Sequence, residues 1–220
     1  MFIRVVLLLA LTFVPAAVSA QTPGRWDVAA TAGLFTAYTP RAAGATGYQE
    51  LWLQNIQGGA VVGHYLTPHL KLEFEGTATT GGTQFRERLI SVSDYPYPYP
   101  VGSEVTTSIR SLAASVTWQF GHNEWIHPFV QAGVSTDFDR ETVRTWEQFL
   151  GGTPRSGSPP ERIVQEHVEG PTTTRRLRGL LGAGAKVYMT ERAFVRTDAR
   201  WSFDRQRHNL AVRIGAGVDF

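Results

Sequence analysis

The C-terminal segment Leu210–Phe220 alternates without exception between apolar side chains and polar or small ones. Successive side chains of an extended strand point to opposite faces, so this segment predicts a two-faced β-strand. Its apolar face carries Leu210, Val212, Ile214, Ala216, Val218 and Phe220. Which of the two faces points inward decides what kind of protein the chain can form.

The same period-two pattern recurs along the chain between turn residues, and no convincing helical period follows residue 20. We therefore expect eight strands in all, with a bulge at Gly58–Gly59, where the alternation is irregular. The seven others lie near residues 26–38, 51–66, 70–78, 106–120, 127–138, 175–189 and 193–204.

The connections between these strands are sorted by length. Residues 67–69, 121–126 and 190–192 form short connections, whereas residues 39–50, 79–105 and 139–174 form long ones, and residues 205–207 form a last short one. Short and long connections alternate, as in an up-and-down barrel with both termini at the short-turn end. The stretch Arg140 to Phe149 is expected to continue the barrel strands beyond the membrane.

The first twenty residues have the features of a secretory signal peptide. A positively charged start is followed by an apolar run from Val5 to Val14 and by the small residues Val18-Ser19-Ala20. We expect residues 1–20 to be removed and residues 21–220 to form one domain. The chain has no cysteine, which excludes disulfides and thiol chemistry. Its 21 basic and 19 acidic residues give no support to nucleic-acid binding.

The polar faces of the strands carry charges of both signs next to glycines. In an eight-stranded barrel the interior just holds side chains, so arginines need small neighbours and opposite charges should pair. Folding the last hairpin sets Asp198 opposite Arg213. The expected interior network comprises Lys71, Glu73, Glu75, Lys186, Arg196, Asp198, Arg200, Arg213 and Asp219.

A soluble barrel with an apolar core is the alternative arrangement. The apolar face is rich in alanine, however, and its large aromatic residues lie at strand ends, which favours two lipid interfaces over a packed core. One band comprises Trp118, Phe120 and Phe220, and the other comprises Phe138, Trp201 and Phe203. The fold class expected is therefore all-β, an eight-stranded antiparallel up-and-down transmembrane β-barrel.

The leader, the alternating strands, the sorted connections and the terminal Phe220 resemble the small eight-stranded outer-membrane barrels of the OmpA, OmpX and opacity-protein type. The resemblance covers residues 21–220 and implies an outer membrane of a Gram-negative-type cell, reached through the periplasm. It also implies that Phe220 is an assembly signal read by the barrel assembly machinery. The patterns specify a fold more sharply than an activity.

Two groups of residues are candidates for binding. Tyr95, Tyr97 and Tyr99 alternate with prolines in a long connection, where a stiff extended arm would offer stacking surfaces to sugar or protein or simply cover the loop. Arg175, Arg176 and Arg178 enter a strand where anionic headgroups of the outer leaflet would lie, and arginine suits phosphate. The expected partners are outer-membrane lipid and lipopolysaccharide, host or cell-surface ligands and the assembly machinery, with the chain itself a monomer.

Catalysis is not expected. The six histidines include no close metal-ligand spacing, and there is no G-x-S-x-G motif, although serine, histidine and an acid on separate strands could still converge. No metal or cofactor is expected. The sequence favours a structural, envelope-integrity or surface-adhesion role through the extracellular loops. A narrow passive channel for small molecules is the alternative.

Overall fold

The computed structural model describes residues 25–39, 48–90, 99–120, 125–151, 161–205 and 207–220. It contains β1 (Trp26–Tyr38), β2 (Trp52–Tyr65), β3 (Leu70–Thr79), β4 (Gly82–Ile90), β5 (Tyr99–Gln119), β6 (Ile126–Gly151), β7 (Glu161–Tyr188), β8 (Ala193–Phe203) and β9 (His208–Asp219). Among the described residues, no helix is long and apolar enough to cross a membrane. The expected leader, residues 1–20, lies outside the described part of the chain.

The strands form one closed antiparallel barrel. Every strand pairs with its neighbours in sequence except β3 and β4, which do not pair with each other, and β1 pairs with β9, so that the first and last strands join. β3 and β4 both pair with β5, at Ala78 opposite Arg110 and at Gly82 opposite Thr107. They are therefore two halves of one barrel strand that is interrupted at Thr80–Gly81, which makes the barrel eight-stranded as expected.

Two details of the expected strand assignment are wrong. β4 and the start of β5 lie in the segment 79–105 that was expected to be a loop. Gly58–Gly59 is not a bulge, because β2 keeps an unbroken register with β1 and with β3 through both glycines. The alternation is irregular there because Leu53 and Val61 face inward while Gln54 faces outward.

The short turns lie at the same end of the barrel as the start of β1 and the end of β9. We call this the short-turn end. In two of these turns a threonine side chain binds the backbone: Thr67 Oγ1 accepts from Leu70 N at 3.0 Å, and Thr190 Oγ1 accepts from Ala193 N at 2.9 Å. At the same end Trp26 N donates to Phe220 O at 3.0 Å, and Phe220 N donates to Trp26 O at 2.9 Å. The last residue is thus hydrogen-bonded to the first strand where the barrel closes.

At the opposite, long-loop end, β4 to β7 continue well past the other strands. β6 and β7 stay paired out to Gly151 opposite Glu161, which confirms that Arg140–Phe149 extends a barrel strand. From Phe138 to Gly151 this adds roughly 40 Å of strand at about 3.3 Å per residue. A bulge between Glu141 and Val143, facing Gly170 with φ +103°, marks the base of the extension. We call β4–β7 beyond this level the protruding sheet.

The apolar face points outward all around the barrel. Val212, Ile214 and Val218 are 55%, 59% and 45% exposed, whereas Arg213 and Asp219 are each 4% exposed. Bulky apolar side chains of other strands are equally exposed, including Leu34, Phe74, Leu112 and Leu177. This rules out the soluble-barrel alternative, because the apolar surface is the outer one. Trp118, Phe120, Trp201 and Phe220 are also exposed at the two ends of the outer surface.

Candidate functional site

The centre of the barrel holds a network of three carboxylates and three guanidinium groups. Arg196 binds Glu73 through two hydrogen bonds, at 2.7 and 3.0 Å. Arg213 Nη2 lies 2.7 Å from Asp198 Oδ1, the cross-strand pair expected from the sequence, and its Nη1 lies 2.6 Å from Glu75 Oε1. Arg200 Nη1 lies 2.6 Å from the other oxygen of Glu75. The charges balance, and their mutual attraction and hydrogen bonds offset the desolvation cost of burying them.

A second balanced network fills the short-turn end. Lys71 Nζ lies 2.7 Å from Asp27 Oδ2, and Lys186 Nζ lies 2.6 Å from Asp219 Oδ1. Lys186 also donates to the hydroxyl of Tyr65 at 2.8 Å. Lys71 bridges this layer to the central one through Glu73, at 2.7 Å. The structure therefore places every residue of the expected interior network inside the barrel, and Asp27 is a member that the sequence did not single out.

A third network lies inside the barrel near the long-loop end, and it corrects an expectation. Arg176 and Arg178 were expected to face lipid headgroups, but both face inward. Arg178 is 2% exposed and lies 3.2 Å from Asp137, while Arg176 lies 3.2 Å from Asp139. The reason is strand parity, because even-numbered residues of β7 in this region face inward together with Lys186. Of the three arginines, only Arg175 faces outward and is exposed.

The barrel interior also contains an apolar cluster, with a small cavity beside it. A buried cluster lies inside the barrel toward the long-loop end: Phe35, Ala37, Leu53, Ile109 and Ala211. A cavity of about 30 Å³ remains beside it, lined in part by Glu75, Asp137 and Arg200. That volume holds about two water molecules. This inward apolar cluster was not expected from the sequence, although extending the β1 parity from Asp27 and Thr31 to Phe35 would have placed its first member.

Glycine makes room for this interior, as the sequence suggested. A Cβ added at Gly184 would lie 2.7 Å from the ring of Phe129 and 2.8 Å from Asp198 Cβ. Phe129 in turn stacks under the Arg196 guanidinium, 4.5 Å from the ring centroid. Gly184 therefore allows Phe129 and Asp198 to hold Arg196 in place.

The outer face of the protruding sheet carries an aromatic strip. The rings of Tyr48 and Phe85 lie 6.4 Å apart, and those of Phe85 and Trp146 lie 5.8 Å apart. Trp146 lies over Gly102, where an added Cβ would be 2.4 Å from the indole nitrogen. Arg144 and Glu166 form an exposed ion pair beside the strip, at 2.7 Å. Such a surface can stack on sugar or apolar groups.

The remaining candidate residues divide between described and undescribed parts of the chain. Tyr95 and Tyr97 lie outside the described residues, and Tyr99 begins β5. Phe220 is 64% exposed at the short-turn end. Among the described residues, no group of three His, Asp or Glu side chains could hold a metal ion. His64 and His208 instead pack in tilted contacts against Trp26 and Trp201, with ring centroids 4.3 and 5.9 Å apart.

Comparison with known proteins supports the architecture. No protein-family model and no curated protein sequence matches the chain. Neisserial surface protein A is similar in structure, with a TM-score of 0.54 and 11% identity over 91% of this chain and 100% of that chain. For the N-terminal barrel domain of Pseudomonas aeruginosa OprF, the TM-score is 0.45 and the sequence identity is 14%, over 90% of this chain and 100% of that chain. For Ail of Yersinia pestis, the TM-score is 0.46 and the sequence identity is 11%, over 90% of this chain and 100% of that chain.

At these identities the likeness concerns the fold. The closed barrel, its polar interior and its apolar outer surface define a small eight-stranded transmembrane β-barrel. Neisserial surface protein A, with a TM-score above 0.5, shares this fold, in agreement with the fold resemblance read from the sequence.

Proposed function

We propose that this chain is a non-enzymatic protein of the outer membrane of a Gram-negative-type cell, which binds surface ligands through the protruding sheet. In this orientation the short-turn end faces the periplasm and the protruding sheet extends outside the cell. The chain acts as a monomer and binds no cofactor. The barrel itself contributes to the structure and integrity of the envelope.

The free edge of β7 carries this proposal. Pairing between β7 and β8 begins at Gly179 opposite Phe203, so within the described residues Glu161 to Arg178 pair with β6 alone. Residues 166–175 are all exposed. An unpaired edge presents a row of N–H and C=O groups that can hydrogen-bond an extended segment of another protein. The aromatic strip Tyr48–Phe85–Trp146 supplies side-chain contacts on the same sheet.

The filled interior favours a structural barrel over the alternative of a passive channel. The central network spans the barrel with paired charges, and apolar side chains cover it toward the long-loop end. A solute would have to break ion pairs in a space that has room for about two waters. Within the part of the chain that the structure describes, the paired charges of the interior therefore favour the structural role over the channel.

We base two further proposals, on export and on assembly of the barrel, on the sequence and on the backbone contact between Trp26 and Phe220. Residues 1–20 act as the signal peptide, and the barrel assembly machinery recognises Phe220. In support, Phe220 closes the barrel through its backbone bonds to Trp26 and leaves its ring exposed. The terminal aromatic ring is thus accessible to a partner during assembly.

The adhesive role is tested by shortening the protruding sheet while the barrel is left intact. Residues Arg144 to Val168 are replaced by an Asn-Gly turn, which joins Val143 to Glu169, a pair of facing residues. A non-adherent Gram-negative host displays each form, and attachment to surfaces coated with fibronectin, laminin or collagen is counted. We expect attachment above the vector control for the full chain and at the vector level for the shortened one.

The control substitution is Arg192→Gln, an exposed change at the short-turn end. It should leave attachment unchanged, and both variants must reach the surface in equal amounts with the gel mobility of a folded barrel. Attachment by the shortened form equal to that of the full chain would contradict an adhesive role for the sheet. No attachment of the full chain to any coated surface would also contradict it.

A further inference from the structure

We propose that the outer surface of β5, β6 and β7 binds one phosphate-bearing lipid of the outer leaflet through Arg110, Arg140 and Arg175. All three arginines are exposed on the outward face. The proposal rests on the orientation given above, with the long-loop end in the outer leaflet, but not on the adhesive role. It replaces the expected trio of Arg175, Arg176 and Arg178 by one in which every member faces outward.

The strand registers bring the three arginines together. Arg110 pairs with Phe138 on β6, and Phe138 pairs with Arg175 on β7, so the two arginines flank one aromatic residue in a single row. Neighbouring strands lie about 4.8 Å apart, which places the Cα atoms of Arg110 and Arg175 roughly 10 Å apart. Arg140 lies two residues further out on β6, about 7–8 Å diagonally from each. Arginine side chains are long enough to converge across these distances.

The three outward arginines differ from the inward ones in that they have no carboxylate partner within the described part of the chain. Inside the barrel, Arg176, Arg178, Arg196, Arg200, Arg207 and Arg213 all have carboxylate partners. Arg110, Arg140 and Arg175 form no ion pair with any residue that the structure describes. On this face the nearest outward carboxylate of β5 is Glu104, three outward positions beyond Arg110. Three neighbouring outward arginines without a carboxylate partner favour binding of a phosphate group.

The rows below the arginines identify the phosphate as that of a lipid. Directly toward the short-turn end, Leu112, Thr136 and Leu177 form the next outward row, and the two leucines are 61% and 69% exposed. The arginines therefore lie at the boundary of the apolar belt, where headgroup phosphates are found. A free phosphate ion would need no such apolar surface beneath it.

A groove for an acyl chain lies closer to the short-turn end, on the outer surface of β3, β5 and β6. It has a volume of about 200 Å³ and an almost wholly apolar lining, between the larger side chains Phe74, Val116 and Val134. Its floor is formed by the small residues Ala114 and Ala132, and Ala114 lies four residues below Arg110 on β5. That separation is roughly 13 Å along the strand, within the length of a fatty-acyl chain. Phosphate and chain of one lipid can thus be bound together.

The test measures lipid retention by the purified full-length barrel. The protein is reconstituted in phosphatidylcholine nanodiscs with a few per cent of diphosphoryl lipid A or of its dephosphorylated form, and bound lipid is counted by native mass spectrometry. We compare Arg110→Gln/Arg175→Gln with the charge-matched control Arg25→Gln/Arg192→Gln, whose arginines are exposed at the short-turn end. Folding of both variants is checked by heat-modifiable gel mobility.

We expect the wild-type chain to retain diphosphoryl lipid A at least tenfold better than the dephosphorylated form. Arg110→Gln/Arg175→Gln should lose at least tenfold in retention, and the control should stay within twofold of wild type. Filling the groove with Ala132→Phe should also weaken lipid retention, because the acyl chain loses its place on the barrel surface.

Three results would overturn the proposal. Equal retention of the two lipids would exclude phosphate recognition, and equal losses in both double variants would indicate a general charge effect. Displacement of the lipid by millimolar inorganic phosphate would assign the arginines to a soluble anion. Failure of the adhesion assay leaves these readouts unaffected, so the two proposals can fail separately.

Discussion

Asp198 is the residue on which the central network depends most. Its carboxylate accepts hydrogen bonds from Arg213 at 2.7 and 2.9 Å and from Arg196 at 3.0 Å. Asp198→Asn keeps the shape but leaves three guanidinium groups facing only Glu73 and Glu75. Removing one partner of a buried ion pair costs about 3–5 kcal/mol. Because the amide oxygen can still accept a hydrogen bond, we expect a loss near the lower limit, about 3 kcal/mol.

The loss is measured as the change in free energy of unfolding during urea titration in lipid vesicles, followed by tryptophan fluorescence and gel mobility. A loss of about 3 kcal/mol shifts the folding equilibrium by roughly two powers of ten. The control is Thr197→Val, at the adjacent lipid-facing position, which should change the free energy by less than about 0.5 kcal/mol. The variant Asp198→Asn/Arg213→Gln restores charge balance and should cost less than the sum of its two single changes.

Two outcomes would refute this reasoning. One is a cost of Asp198→Asn no greater than that of Thr197→Val, which would mean that the interior is wet enough to screen the charges. The other is strict additivity in the double variant, which would mean that Asp198 and Arg213 are not energetically coupled.

Further predictions concern packing, the outer surface and conduction. Gly184→Val should destabilise the barrel by several kcal/mol in the same titration, because even a Cβ meets Phe129 and Asp198; a neutral effect would contradict the packing. Ile214→Arg should cost about 2–4 kcal/mol in lipid vesicles, since the side chain faces hydrocarbon, and a cost near zero would place it in water. In planar bilayers the purified wild-type chain should show no steady conductance, and sustained openings would contradict the filled interior.

Sequence reasoning succeeded where the membrane imposes a pattern. In β8 and β9 nearly every outward position is apolar and the charged side chains lie on the opposite face, so Arg196, Asp198 and Arg213 could be assigned to the interior from alternation alone. The alternation of apolar and polar residues also predicted the first and last residues of β1 and β8 to within one residue. The opposition of Asp198 and Arg213 followed from folding a short hairpin.

Beyond the membrane this constraint is absent. β4 reads Gly82-Thr-Gln-Phe-Arg-Glu-Arg-Leu-Ile90, and because water lies on its outer side, polar residues occur on both faces. Such a strand cannot be distinguished from a loop by alternation. The length of β7 was underestimated for the same reason, because the strand begins at Glu161 and not near residue 175.

The candidate lipid site shows a different limit of sequence reasoning. Arg175, Arg176 and Arg178 are adjacent in sequence, but strand parity sends two of them inside. Arg110 and Arg140 lie far from Arg175 in sequence and meet it only through the registers of three strands. Long-range registers cannot be obtained from one sequence, because a shift by two residues keeps the same faces.

The direction of the two faces is tested most directly by site-directed spin labelling. The natural chain has no cysteine, so single cysteines at successive positions from Leu210 to Val218 can each carry a nitroxide in the reconstituted protein. We expect labels at 210, 212, 214, 216 and 218 to collide with lipid-soluble oxygen but not with a water-soluble nickel complex. Labels at the positions between them should be immobile and shielded from oxygen. High nickel accessibility at 212 and 214, or oxygen accessibility without a period of two, would contradict a barrel whose apolar face contacts lipid.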